Sequence, residues 1–231
     1  MNALDRVYTE HPYYGSRRLT AQLQQDGYSV CRDRVRRLMG QLGLEALYPK
    51  PRLSIPNKAD TKYPYLLNGL VINRVNQVWS SDITYIPIQG GFMYLTAVLD
   101  WYSRYVLSWR ISNTMETQFC YEALEEAVSR HGRPEIFNTD QGSQFTSELY
   151  TKFLTDRSIR VSRDGRGRCF DNIMIERLWR SVKYEHVYLI GYSDGLSLYH
   201  GLGEYFEFYN GKRLHQSLDY QTPESFYCRQ Q

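Results

Sequence analysis

The order of its strand-like and helix-like segments restricts the fold of this chain more than any other sequence feature. Three segments rich in β-branched and aromatic residues come first, separated by short turns, at residues 77–86, 92–99 and 105–111. Helices and strands are then predicted to alternate, with helices at 117–130, 144–157, 172–187 and 196–210 and strands at 135–139 and 159–162. Hairpin-connected strands followed by alternating helices and strands predict an α/β fold with a five-stranded mixed sheet flanked by helices. An irregular basic tail is expected after the last helix.

Two short amphipathic helices are predicted ahead of this core, at 17–27 and 31–43, and each ends at a glycine. The short link between them is typical of a helix-turn-helix. We expect the basic residues of these helices to contact DNA, namely Arg17, Arg18, Arg32, Arg34, Arg36 and Arg37. The alternative is a helical pair whose basic face is only solvated.

Charge and proline divide the chain into segments. Residues 1–65 contain 11 Lys and Arg against 6 Asp and Glu, whereas the remainder contains 17 against 19. The first part is therefore expected to bind a polyanion. Because residues 48–64 hold four prolines and four basic residues without periodicity, they indicate a linker. The predicted organisation is a helix-turn-helix segment over 1–47, a linker over 48–65, a catalytic core over 66–190 and a C-terminal helix and tail over 191–231.

Several protein classes are disfavoured by composition. The apolar-leaning run at 91–99 is well short of the roughly 20 residues of a membrane-spanning helix. The N-terminus lacks the charged start and apolar stretch of a secretory signal, so we predict a cytosolic protein. The four cysteines are too widely spaced for a CxxC pair and are interpreted as small apolar residues. No His or Cys spacing typical of zinc appears.

Three carboxylates are the candidate catalytic residues. Asp82 lies within an otherwise uncharged strand, where it needs a compensating partner, and Asp140 closes a strand and opens into a turn. Glu176 is predicted to share a helical strip with Asn172 and Lys183, beside an apolar stripe. Each alone has an ordinary explanation: an Asp paired with an arginine, a turn residue, or a solvent-facing Glu.

Taken together, three carboxylates form a set of hard oxygen ligands that suits Mg²⁺ or Mn²⁺. Two such ions, roughly 3.5 to 4 Å apart, activate a water or a 3′-hydroxyl and stabilise the leaving oxygen in phosphoryl transfer. Lys183 is placed to hold a phosphate. Two further carboxylates compete: Asp100 is assigned to a turn, and Asp171 fits a helix N-cap as well as a site.

Three motifs in the chain resemble one family. WSSDITYI, NTDQGSQF and DNIMIERLWRSVKYE, with 35 residues between Asp140 and Glu176, resemble the DDE triad of retroviral-integrase-like transposases, and most of all the OrfB-type transposases of bacterial insertion sequences. HPYYGSRR at 11–18 resembles the family's HPxYGxRR entry to its helix-turn-helix segment. YNGKRLHQSLDYQTP at 209–223 resembles its C-terminal motif.

The resemblance implies a ribonuclease-H-like core that cuts and joins DNA strands at mobile-element ends, with Asp82, Asp140 and Glu176 as ligands of Mg²⁺ or Mn²⁺, two ions per site. Asp171, Asn172, Lys183 and Glu185 match family positions, and we expect Lys183, Arg213 and His215 to contact DNA. The expected partners are double-stranded DNA, further copies of the chain and an upstream OrfA-type product.

Family members usually carry more chain before the HPxYG segment, so a shortened copy is expected. Two alternatives stay open: a hydrolytic nuclease with the ribonuclease H fold, and a non-catalytic DNA-binding regulator derived from a transposase.

Overall fold

A computed structural model describes residues 2–47, 63–164 and 172–229. They fall into two compact units, one within residues 1–59 and the other within 60–231. Most of the predicted linker lies outside the described residues, as do Cys169 and Asp171. Within the described ranges, no helix is both long and apolar enough to cross a membrane.

The first unit is a three-helix cluster. It contains the two predicted helices, α2 (Ser16–Gln25) and α3 (Arg32–Leu42), preceded by α1 (Asn2–Glu10), which was not predicted. The buried residues of α1, Leu4 and Val7, are too few to show a helical period. The three helices share a small core made of Leu4, Val7, Leu19, Leu23, Val35 and Met39. α3 ends at Gly43, whose φ of 65° is the left-handed conformation that glycine adopts at helix ends.

The second unit is built on a five-stranded mixed sheet, which confirms the predicted fold class. Its strands are β1 (Val78–Ile88), β2 (Gly91–Asp100), β3 (Val106–Ser112), β4 (Ile136–Thr139) and β5 (Arg160–Arg163), in the order β3-β2-β1-β4-β5. β1, β2 and β3 are antiparallel neighbours, whereas β4 runs parallel to β1 and β5 parallel to β4. β1 therefore lies at the centre, between the hairpin half and the parallel half.

Helices cover both faces of the sheet. One face packs on α4 (Thr117–His131), α5 (Ser143–Thr146) and α6 (Glu148–Asp156), around Trp79, Phe137 and Leu154. The other face packs on α7 (Ile173–Val182) and α9 (Gly195–Gly211), around Leu95 and Leu99. The predicted apolar stripe of α7 is buried, as expected. Because α9 shares this core, the C-terminal segment belongs to the same unit as the sheet.

Several predicted boundaries were wrong. The predicted helix at 144–157 is two helices, because the Ser147 side chain caps α6 by accepting from the Tyr150 backbone N–H. The predicted helix at 172–187 consists of α7 and a π-helical turn at Lys183–Val187, which is followed by α8 (Tyr188–Ile190). The tail is not irregular: it contains a 3₁₀ turn (Gln216–Leu218) and α10 (Pro223–Cys228).

The three described cysteines, which were interpreted as small apolar residues, differ in exposure. Cys120 is buried, whereas Cys31 and Cys228 are exposed free thiols.

Candidate active site

Asp82 lies on the central strand β1, on the face of the sheet covered by α7. It pairs in register with Ala97 of β2. Its Oδ2 accepts a hydrogen bond of 2.9 Å from the Trp179 indole Nε1–H of α7. This indole is the compensating partner that the sequence required and could not identify, because it is 97 residues away along the chain.

The pKa of Asp82 is raised to about 6. Burial is the largest cause, and the negative charges of Asp140 and Glu176 raise the pKa further, against the lowering effect of the Trp179 hydrogen bond. Asp82 therefore lies within electrostatic range of both Asp140 and Glu176. Ionised Asp82 is destabilised by its own surroundings.

Asp140 is positioned by the parallel pairing of β4 with β1. Ser80 is paired with Asn138, and β4 ends one residue later, at Thr139. Asp140 directly follows β4, and its charge raises the pKa of Asp82, so the two carboxylates lie within electrostatic range of each other. The Oδ1 of Asp140 accepts from the Gly142 backbone N–H at 2.9 Å.

Gly142 is a site residue that sequence reasoning missed. A Cβ at this position would lie 2.9 Å from Oδ1 of Asp140, so a side chain here would press on the carboxylate. The only sequence signal was the Gly two residues after Asp140, which is also ordinary turn composition.

Glu176 and Lys183 approach Asp82 from the helical side. Glu176 is exposed on α7, three residues before Trp179. Lys183 begins the π turn, where burial lowers its pKa and the charge of Asp82 raises it, which places the ammonium near that carboxylate. Asn172, which was predicted to share their strip, is buried at the start of α7.

The donor set fits a divalent cation by its chemistry. Carboxylate oxygens are the ligands that Mg²⁺ and Mn²⁺ prefer, and a cation would offset the burial and the two neighbouring negative charges that raise the Asp82 pKa. In the described part of the chain, no three His, Cys, Asp or Glu side chains are gathered closely enough to hold one ion. The structure thus brings Asp82, Asp140 and Glu176 within electrostatic range but not into a single coordination shell.

Asp100, the competing carboxylate, belongs to a turn, as predicted. Its Oδ1 accepts from the Ser103 backbone N–H at 2.8 Å and hydroxyl at 2.6 Å, and its Oδ2 accepts from the Asn76 N–H at 2.9 Å. Asp100 is fully buried. These three hydrogen bonds account for the carboxylate without any ligand.

The basic residues of the first unit lie at its surface. The six arginines of α2 and α3 that were predicted to contact DNA are all exposed. Three of them border a shallow depression of about 340 Å³, which is lined by Tyr13, Gly15, Ser16, Arg17, Arg18 and Arg32.

Arg213 and His215 were predicted to contact DNA, but both have partners inside the protein. Arg213 makes a two-pronged ion pair with Glu185, of 2.7 Å from Nε and 2.6 Å from Nη2. Burial and the charge of Arg213 lower the pKa of His215 to about 4, so the imidazole is neutral at pH 7. A neutral, buried imidazole is not a cationic phosphate contact.

Comparisons with known proteins agree with this architecture. Residues 72–169 and 157–223 each match an Integrase core domain family, and residues 1–52 match an HTH-like domain. The transposase for insertion sequence element IS629 of Shigella sonnei is 31% identical, over 95% of this chain and 76% of its own length. The transposase for element IS904 of Lactococcus lactis subsp. lactis (strain IL1403) is 32% identical, over 95% of this chain and 90% of its own length.

Solved structures share the fold. The HTLV-2 integrase catalytic core domain, in its dimeric form in complex with magnesium, is 20% identical with a TM-score of 0.54, covering 67% of this chain and 97% of that one. A simian T-cell lymphotropic virus intasome chain is 16% identical with a TM-score of 0.59, covering 97% of this chain and 74% of that one.

Proposed function

The chain belongs to the transposases of bacterial insertion sequences that carry an integrase core domain, and we propose that it cuts and joins DNA strands at element ends with divalent metal held by Asp82, Asp140 and Glu176. The observation that carries this proposal is a buried Asp82 within electrostatic range of two further carboxylates: burial first, and then the charges of Asp140 and Glu176, raise its pKa to about 6. Such a cluster costs stability unless a cation is bound to it.

Each residue of the site has a role in holding the metal and the DNA. Asp82 and Asp140 supply ligand oxygens from adjacent strands, and Glu176 supplies a third from α7. Mg²⁺ or Mn²⁺, as two ions, would activate the attacking oxygen and stabilise the leaving one. Trp179 donates a hydrogen bond to Oδ2 of Asp82, which helps to fix the orientation of this carboxylate for a ligand. Lys183 holds a phosphate of the DNA beside this group.

Proton competition follows from the raised pKa. Because Asp82 loses its proton only near pH 6, it is an available ligand mainly above that pH. Metal binding should therefore strengthen as the pH rises from 5 to 7.

The first unit is proposed to anchor DNA. Its exposed arginines, on helices that match an HTH-like domain, supply positive charge for the phosphate backbone. We propose the same organisation for the whole chain as the sequence predicted, with a DNA-binding segment over 1–47 joined by a linker over 48–65 to the catalytic core over 66–190 and the C-terminal helix and tail over 191–231.

Assembly and location complete the proposal. Joining two element ends places two active sites near one another, so the chain is proposed to act as a homo-oligomer on DNA. An upstream OrfA-type product would add end-specific binding, and the reaction would take place on DNA in the bacterial cytosol.

The test is an incubation of the full chain with labelled element-end DNA, a target duplex and Mg²⁺. Products in which the labelled 3′ end is joined to target DNA support strand transfer. Release of hydrolysed fragments without joining would show a nuclease instead. Binding without cleavage, in Mg²⁺ and in Mn²⁺, would show a DNA-binding regulator.

A further inference from the structure

The π turn at Lys183–Val187 connects the candidate active site to the C-terminal part of the chain. It directly follows α7, which carries Glu176, and its first residue, Lys183, lies near Asp82. Short π-helical segments are uncommon and frequently occur at functional sites. What holds this turn therefore also influences where Lys183 and the end of α7 are placed.

Glu185 anchors the middle of the turn to the tail. Its two oxygens receive the Nε and Nη2 of Arg213 at 2.7 and 2.6 Å, and its Oε2 also accepts from the Tyr205 hydroxyl at 3.1 Å. The Arg213 hydrogen bonds lower the pKa of Glu185, so the pair is ionised at neutral pH. A two-pronged guanidinium–carboxylate pair fixes direction as well as distance.

The third guanidinium nitrogen of Arg213 also has a partner inside the protein. Its Nη1 lies 3.1 Å from Nε2 of His215, and its guanidinium lies 5.6 Å from the centre of the Tyr209 ring. Its side chain is 23% exposed. Each of its three guanidinium nitrogens thus has one partner inside the protein, which commits three of its five N–H donors to internal contacts.

A second anchor follows directly along the turn. The His186 Nε2 lies 2.7 Å from the Tyr192 hydroxyl, and its ring lies 4.9 Å from the Tyr205 ring of α9. Val187 is buried in the core shared with α9. Three consecutive residues of the turn are thus held by the C-terminal part of the chain.

We infer that the Glu185–Arg213 pair is a positioning device for strand transfer: it fixes the π turn and so sets Lys183 and the Glu176 helix beside Asp82. This inference rests on the proposed function. It assigns Arg213, the arginine of the C-terminal motif YNGKRLHQSLDYQTP, to the geometry of the active site and not to a DNA contact. A partly exposed pair adds little to stability, so its effect is expected in the reaction rate.

The first test is Arg213→Lys, which keeps the positive charge but cannot form two parallel hydrogen bonds to one carboxylate. We expect the single-turnover cleavage rate at saturating DNA to fall about 10- to 100-fold, as for other outer residues that orient a site. The affinity for element-end DNA and its salt dependence should match the wild type. Lys212→Gln, which removes the neighbouring exposed cation, is the control and should retain the rate.

If Arg213 instead contacted DNA directly, substitutions would change the affinity for DNA and not the reaction rate. Arg213→Lys would then retain the rate, while Arg213→Gln would weaken binding and reduce the slope of log affinity against log salt by about one. Glu185→Gln separates the two cases again, because it leaves Arg213 charged: positioning predicts a slower reaction, and a DNA contact predicts unchanged or tighter binding.

Two further measurements complete the test. The exchanged pair Glu185→Arg with Arg213→Glu should recover part of the lost rate. Amide hydrogen exchange over residues 183–191 should be faster in Arg213→Lys, with no change in the β1–β2 hairpin. An active wild type whose Arg213→Lys and Glu185→Gln variants keep the full rate would refute the inference alone. A wild type that neither cuts nor joins DNA would refute the proposed function together with it.

Discussion

Replacing Asp82 by Asn should stabilise the metal-free protein at pH 8. The substitution removes a charge that burial, Asp140 and Glu176 all disfavour, and the Asn oxygen still accepts from the Trp179 indole. The shift of the pKa from 3.8 to about 6 corresponds to about 3 kcal/mol, at about 1.4 kcal/mol per unit, as the upper limit of the gain.

The gain has a defined pH dependence. Because the folded pKa of Asp82 is higher than the unfolded pKa, the folded state binds this proton more tightly, and wild-type stability falls as the pH rises from about 4 to about 6. The full cost of ionisation is present above pH 6 and absent below pH 4. Asp82→Asn should therefore equal the wild type near pH 4 and exceed it increasingly up to pH 6.

Urea unfolding in a chelator, followed by tryptophan fluorescence, measures this difference. The signal reports the second unit alone, because all four tryptophans lie within it, at positions 79, 101, 109 and 179. Asp156→Asn, at the exposed end of α6, is the matched control and should show no such pH dependence. If the effect of Asp82→Asn on the free energy of unfolding were the same at pH 8 as at pH 4, burial and the neighbouring charges would not disfavour the ionised carboxylate, and the reasoning would be wrong.

Three other predictions follow from individual contacts. Asp100→Asn loses at least one hydrogen bond that its buried carboxylate accepts, so the free energy of unfolding should fall by about 1–3 kcal/mol in the same urea assay. Gly201→Ala would force a Cβ against the Tyr192 hydroxyl, so the free energy of unfolding should fall by roughly 1–3 kcal/mol, whereas unchanged stability would show that the ring moves freely. Replacing Arg34 and Arg37 together by Ala should weaken binding to all DNA sequences alike and reduce the salt slope by about two, measured by titration at several salt concentrations; full binding would show that this face is only solvated.

The sheet was predictable because each of its first three strands can be recognised from its own short stretch of sequence. β1, β2 and β3 are runs rich in β-branched and aromatic residues separated by turn residues, and the apolar stripe of α7 appears at helical spacing. The break at Ser147 was missed, because a serine inside a helical pattern becomes a cap only when its side chain binds a backbone N–H.

The site could be predicted only in part, because a sequence does not show which side chain lies next to a charged residue in the folded protein. Asp82 was identified as needing a partner, but the Trp179 indole reaches it only through the packing of α7 on β1. Arg213 was predicted to contact DNA because it lies in a basic tail, but it binds Glu185, which is 28 residues away along the chain. The π turn between α7 and α8 is only five residues long, so its sequence shows no periodicity that distinguishes it from an α-helix.

The central claim is that Asp82, Asp140 and Glu176 together form one metal-dependent strand-transfer site. The most direct test measures the rate of joined-product formation in Mg²⁺ for Asp82→Asn, Asp140→Asn and Glu176→Gln, each shown to be folded by its urea transition, alongside Asp156→Asn. We predict no joined product from any of the first three and the wild-type rate from the control. Full metal-dependent joining by any one of the three variants would show that its residue is not a ligand and would contradict the claim.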